Sequence, residues 1–172
     1  MATQARVIAI NNAILHAPWA DVYYASDRKW WDWHPDIARQ TWPAYKYGLQ
    51  PSIRQRYPLV TVLQRTGLGG VELAPSGLKS GGHSGYAAIN LAVHFGAKNI
   101  VLLGYDLGPS PDGRHHFDLE HPDRSHPRYE YRREVYASLV GPLADLGIEI
   151  VNASGSTTIP SLPRAHLDDL FP

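Results

Sequence analysis

Apolar residues come in short runs separated by polar stretches rich in glycine and proline. Arg6 to Asn11 (RVIAIN) and Asp21 to Ser26 (DVYYAS) have the length and continuity of strands covered on both faces. Leu59 to Leu63 (LVTVL), Ile100 to Leu103 (IVLL) and Ile148 to Val151 (IEIV) read the same way. Helix-length segments lie between them. Asp27 to Gln40 predicts a helix that restarts at Pro35, with Trp30 and Trp33 on one face and Trp31 elsewhere. Gly85 to Phe95 is apolar nearly all round (Ala87, Ala88, Ile89, Leu91, Ala92, Val93), which predicts a helix packed on both sides. Arg128 to Leu146 predicts a long helix with Val135, Leu139, Leu143 and Leu146 on its apolar face, kinked or interrupted at Gly141-Pro142. Leu167 to Phe171 predicts a short closing helix, and Thr66 to Lys79 a loop carrying a small hairpin.

Strands alternating with helices predict an α/β sandwich with a mostly parallel sheet, as a single domain over residues 1–172. Parallel strands put their carboxyl ends on one edge, where open α/β sheets hold ligands. Polar residues recur at these tips: Asn11 and Asn12, Asp27, Asp106 and Asn152. These form the predicted ligand set, although Asp27 is equally suited to cap the helix that follows it.

The stretch from Ser80 to Asp106 (SGGHSGYAAINLAVHFGAKNIVLLGYD) adds the most specific chemistry. Gly81, Gly82 and Gly85 allow a sharp turn and a close backbone approach to a ligand. Ser84 is placed to N-cap the helix after them. A helix N-terminus behind such a turn favours phosphate or carboxylate. Gly82, His83, Ser84 and Gly85 therefore join the predicted ligand residues.

Residues 107–127 are irregular, too long for a plain connector, and hold His115, His116, His121 and His126 among Asp118, Glu120 and Asp123. Three readings compete. One is a loop with a histidine as general base. Another is a divalent-metal site, although spacings of five residues match no compact zinc motif. The third is a plain solvated loop. The tryptophans of the 27–40 segment are suited either to stack on a base or sugar, or to pin a small helix to the sheet.

Composition narrows the classes. Sixteen basic and sixteen acidic residues leave no net charge, which argues against non-specific nucleic-acid binding. The chain has no cysteine, hence no disulfide, thiolate ligand or thiol nucleophile. No long apolar run or signal-peptide pattern is present, so the expectation is a cytoplasmic protein without a membrane span.

VIAINNAILHAPWADVYYASDRKWWDWH, GGHSGYAAINLAVHFGAKNIVLLGYD, the His-Pro loop and VNASGSTTI together resemble a family of small phage and bacterial proteins. Those proteins are similar to the 6-hydroxymethylpterin diphosphokinase MptE-like (DUF115) group and, more remotely, to the sialyltransferases of glycosyltransferase family 42. The resemblance implies a Rossmann-like fold with a nucleotide or nucleotide-sugar donor at the strand tips. It also implies that Asn11, Asp27 and Ser84-Gly85 line the pocket, and that a loop histidine, His116 or His121, is general base. Asp106 then positions that loop or holds a divalent metal.

Two departures matter. Relatives often begin with a glycine-rich Pro-Ser-Leu phosphate loop on an earlier strand, where this chain starts MATQARVIAI. They also commonly carry Asn at the position of His83. A missing strand leaves an edge that a second copy would cover, so a homodimer is expected. The expected function is a nucleotide-dependent transferase acting by glycosyl or diphosphoryl transfer. The alternatives are a non-catalytic nucleotide- or sugar-binding module, and a phage accessory protein that keeps only the fold.

Overall fold

The computed structural model describes residues 5–41, 45–108 and 129–171. It is an α/β protein: helices and strands alternate, and every strand pairing among the described residues is parallel. The chain divides into two compact units, Met1–Gly67 with Glu72–His94, and Leu68–Val71 with Phe95–Pro172.

The first unit is built on strands β1 (Ile8–Ile10), β2 (Val22–Tyr24), β3 (Tyr45–Gly48) and β4 (Thr61–Val62), side by side in sequence order. Because each strand lies next to its successor, the connections all pass over one face. Helices α1 (Ala13–His16), α2 (Arg28–Trp33), α3 (Pro35–Arg39) and α4 (Ser52–Arg56) run between them. They send Ile14, Trp30, Trp31, Ala38 and Ile53 into a core with Ala9, Tyr23 and Val62. The alternate strand positions, Ile8, Ile10, Val22, Tyr24 and Tyr47, point the other way. Ala87, Ala88 and Leu91 of α5 (Ser84–His94) pack against them there. Period-two alternation with both faces covered explains the continuous apolar runs. Burying a side chain such as Trp31 or Tyr24 contributes roughly 1.5–3 kcal/mol.

Two glycines are dictated by contact. A Cβ at Gly48 would run into the Ile53 side chain, so glycine lets α4 lie close to β3. Gly81 has φ +54, and a Cβ there would overlap the Tyr86 ring. Both the backbone conformation and the space demand glycine at that position.

Several expectations change in this unit. β3 was not anticipated by the apolar pattern. The expected hairpin is instead a parallel pair, β5 (Gln64–Gly67) with β6 (Gly77–Lys79), Arg65 lying opposite Leu78. Its strands cannot form a hairpin because they run the same way. The tryptophans pin rather than stack. Trp30 and Trp31 are buried, and their indole N–H groups donate to Asn12 Oδ1 (2.8 Å) and the Ala25 carbonyl (3.0 Å). The restart at Pro35 stands, as the boundary between α2 and α3.

The second unit pairs β7 (Asn99–Leu102) with β8 (Glu149–Asn152), Ile100 opposite Ile150 and Leu102 opposite Asn152. Helix α6 (Tyr129–Asp145) contributes Tyr136, Leu139 and Leu143 to the interior. Pro142 lies inside α6 without ending it. It sits in the last turn, where only the Ser138 carbonyl loses an intrahelical donor. A short helix, α7 (Leu167–Leu170), follows as the pattern indicates. No helix among the described residues is long and apolar enough to cross a membrane.

Candidate functional site

In the first unit the predicted residues gather at the carboxyl ends of β1 and β2. Asn11 leaves β1 in the left-handed region (φ 50), as only Leu107 does besides it among the described non-glycine residues. Asparagine tolerates this conformation better than most side chains. Its N–H donates to the Tyr24 carbonyl at 3.0 Å, tying the two tips together. The Asn12 side chain is committed to Trp30. Asp27 occupies the N-cap position of α2 but makes no side-chain capping bond, and it is exposed. Capping therefore does not account for its carboxylate.

The turn before α5 reaches the same edge. Ser80 N–H donates to the Gly67 carbonyl, and His83 N–H to the Ser80 carbonyl. Gly81 and Gly82 both take positive φ. Ser84 is the first residue of α5 rather than its cap. Its hydroxyl does something the sequence did not indicate: Oγ accepts from the Ser26 backbone N–H at 3.3 Å, just past the end of β2. The first turn of α5 is thereby held against the β2 tip. The positive end of the helix dipole faces the edge that carries Asp27.

Two residues outside the predicted set complete this edge. The Tyr24 hydroxyl and Ser26 Oγ share a 3.0 Å hydrogen bond, and Tyr24, Ser26 and Ser84 are all buried. Burial pushes the Tyr24 phenol far above its ordinary value. The Ser26 hydrogen bond opposes this shift, the charge of Asp27 adds to it, and the Arg65 guanidinium opposes it. Burial thus favours the neutral phenol. Arg65, exposed on β5, lies near enough to bear on it electrostatically. Ser26 was legible as the small polar residue closing DVYYAS. Arg65 carried no signal, because it falls between the strand expected over Leu59–Leu63 and the loop expected over Thr66–Lys79.

The second unit holds Asp106 and Asn152. Asn152 is fully buried. Its amide donates to the Tyr105 carbonyl (3.2 Å) and to Thr157 Oγ1 (2.9 Å), and its Oδ1 accepts from Ser154 N–H (3.0 Å). Asp106 is exposed, with Ser156 Oγ 3.5 Å from its carboxylate. Thr158 donates to the Asp106 and Leu107 carbonyls, and Arg133 donates to the Leu107 carbonyl as well. These donors hold Leu107 in the left-handed region (φ 47). A groove of about 510 Å³ lies between Glu130, Arg133 and Glu134 of α6 and the chain at Thr158–Ser161, and none of the predicted ligand residues lines it.

The histidines His115, His116, His121 and His126 lie outside the described residues. Among the described residues no group of three or more His, Asp or Glu side chains is arranged to hold a metal ion. Hydroxyls and a helix start are gathered at one sheet edge, with an exposed carboxylate beside them.

No protein-family profile, curated protein or solved structure matches the chain.

Proposed function

We propose that the chain binds a nucleotide or nucleotide sugar at the carboxyl edge of the first unit and serves as a nucleotide-dependent transferase. One observation carries the reading: the first turn of α5, behind Gly81-Gly82, is fastened to the β2 tip by Ser84 Oγ and Ser26 N–H. Helix starts after glycine turns at strand tips suit phosphate, because N–H groups and the dipole both favour negative charge. In this reading Gly82, His83, Ser84 and Gly85 surround the phosphate, while Asn11 and Asp27 face the nucleoside. Asp27 suits a ribose or base donor, since an ionised carboxylate only accepts. The motif resemblance supports a transfer reaction, with His116 or His121 removing the acceptor's hydroxyl proton.

The second reading is a non-catalytic nucleotide- or sugar-binding module. It needs only the donors and the carboxylate of this edge. Calorimetry against nucleotides and nucleotide sugars tests the shared claim: binding is expected, and none at millimolar ligand would overturn it. Turnover assays of His116→Ala and His121→Ala then separate the two readings. Loss in either variant is expected for the transferase, and unchanged turnover in both removes the general-base role.

A further inference from the structure

The neutral total charge hides two unlike halves. The first unit carries nine basic and five acidic residues, the second seven and eleven. A basic surplus, absent from the chain as a whole, thus belongs to the first unit. Residues 37–71 hold five basic residues and no acidic one.

Parallel strands also share an amino-terminal edge, opposite the one that carries Asn11, Asp27 and Ser84. The two most exposed large apolar side chains among the described residues stand there. Trp19, three residues before β2, is 69% exposed, and Tyr45, the first residue of β3, is 72% exposed. They sit at neighbouring strand entrances, since the Tyr45 N–H donates to the Asp21 carbonyl at 3.1 Å. The backbone on both sides of Trp19 is pinned. The Tyr23 hydroxyl donates to the Pro18 carbonyl at 2.6 Å, and the N–H of buried Ala20 donates to the Ala17 carbonyl. Core packing accounts for neither ring, and an aromatic side chain on a fixed turn loses little freedom on binding.

Guanidiniums flank the rings. Arg6, just before β1, holds Asp21 at 3.0 Å. Arg39 ends α3, is exposed, and makes no ion pair among the described residues. The residue after it, Gln40, is fastened to the start of β3 because Lys46 Nζ donates to its carbonyl. Arg56 ends α4 and shares Asp32 with Arg28. Asp32 also accepts from the Tyr57 hydroxyl at 2.9 Å. Arginines therefore answer both Asp21 and Asp32, and positive charge is left over beside two exposed rings.

We infer that the amino-terminal edge of the first unit binds single-stranded nucleic acid, its bases stacking on Trp19 and Tyr45 and its phosphates meeting Arg39 and Arg56. This is independent of the proposed function, which concerns the opposite edge. The ligand class follows from the two chemistries together. Arginines alone suit any polyanion, and aromatic faces alone suit any flat apolar group. A single strand offers phosphates and unpaired bases in alternation, and every base has a π-face. A duplex keeps its base faces stacked on one another and offers this edge only phosphates.

The test is fluorescence anisotropy of the full chain with labelled single strands of DNA and RNA about twelve nucleotides long, and with a duplex of the same length. Wild type, Trp19→Ala, Trp19→Phe, Arg39→Gln and Asp27→Asn are compared after thermal melts establish that each is folded. Single strands, of either sugar, are expected to bind more tightly than duplex. Trp19→Ala should weaken single-strand binding about tenfold, with partial recovery in Trp19→Phe. Arg39→Gln should flatten the slope of log affinity against log salt by about 0.7. Asp27→Asn, at the opposite edge, should leave single-strand binding unchanged. Absence of binding at low salt, equal affinity for duplex, or a Trp19→Ala variant as tight as wild type overturns the inference and leaves the nucleotide reading standing. A change in Asp27→Asn as large as that in Trp19→Ala moves the strand to the carboxyl edge and overturns it as well.

Discussion

Ser84 Oγ accepts the backbone N–H of Ser26 across 3.3 Å of space and 58 positions of sequence. This one bond joins the first turn of α5 to the end of β2, and both residues are buried. Ser84→Ala leaves the Ser26 N–H without its partner, at an expected cost of about 1–3 kcal/mol. Urea denaturation measures that loss, and hydrogen exchange should show faster exchange at the Ser26 amide. Unchanged stability together with unchanged exchange would mean the contact does not form in solution.

Gly81→Ala should be among the most damaging single changes in the first unit. The backbone is left-handed there, and the added methyl meets the Tyr86 ring, itself fully buried. Strain and overlap together are expected to cost about 3 kcal/mol or more. A thermal melt within a degree or two of wild type would refute the packing described for this turn.

Asn90 is a fully buried polar clasp on the inner side of α5. Its Oδ1 accepts from Glu72 N–H (2.8 Å) and Lys79 N–H (3.0 Å), and its Nδ2 donates to the Glu72 carbonyl (2.8 Å). Asn90→Leu keeps the approximate volume but strands the Glu72 and Lys79 N–H groups, while the Glu72 carbonyl keeps its contact with His94 Nε2 at 2.7 Å. The expected loss is about 3 kcal/mol by chemical denaturation, and limited proteolysis should cut earlier between Glu72 and Lys79. A variant as stable as wild type would show that water replaces these bonds freely.

Acid should loosen the entrance to β1 through Asp21. Its carboxylate accepts the Val7 N–H at 2.8 Å and pairs with Arg6 at 3.0 Å. The Val7 hydrogen bond holds its pKa below the ordinary 3.8, slight burial opposes this, and Arg6 adds to the lowering. In that pH range the unfolded chain takes up the proton more readily than the folded one. The stabilisation is therefore complete above the ordinary value and is lost as pH falls through the lower, folded value. Asp21→Asn should be less stable than wild type at neutral pH, with the gap closing below about pH 4. A gap that stays constant down to pH 2 would assign the effect to something other than ionisation.

The sequence made some of this legible and hid the rest for physical reasons. RVIAIN and DVYYAS declared β1 and β2 because both faces are covered, so apolar character runs without a break. YKYG concealed β3: Lys46 and Gly48 look like surface and turn residues. In fact Lys46 is buried and donates to the Gln40 carbonyl, while Gly48 makes room for α4. β5, QRTG, is almost wholly exposed, and burial lies in its partner strand at Gly77 and Leu78. The glycine turn marked the α5 start correctly. The role of Ser84 shifted from cap to clasp because no local pattern encodes a bond to a residue 58 positions away. Asn152, chosen for its place at a strand tip, spends its side chain on Tyr105, Thr157 and Ser154 of its own unit.

The sequential order β1-β2-β3-β4 also sets a timetable for the newborn chain. Each strand can pair with its predecessor as soon as it emerges, and the helices over one face arrive between them. The other face, bearing Ile8, Ile10, Val22 and Tyr24, stays bare until α5 follows some twenty residues after β4. During that interval the nascent sheet presents an open apolar surface, the kind of patch on which chaperones act and aggregates begin. The helix that ends the exposure also delivers Ser84, so the β2 tip takes its final form in the same step that makes the first unit safe from its neighbours.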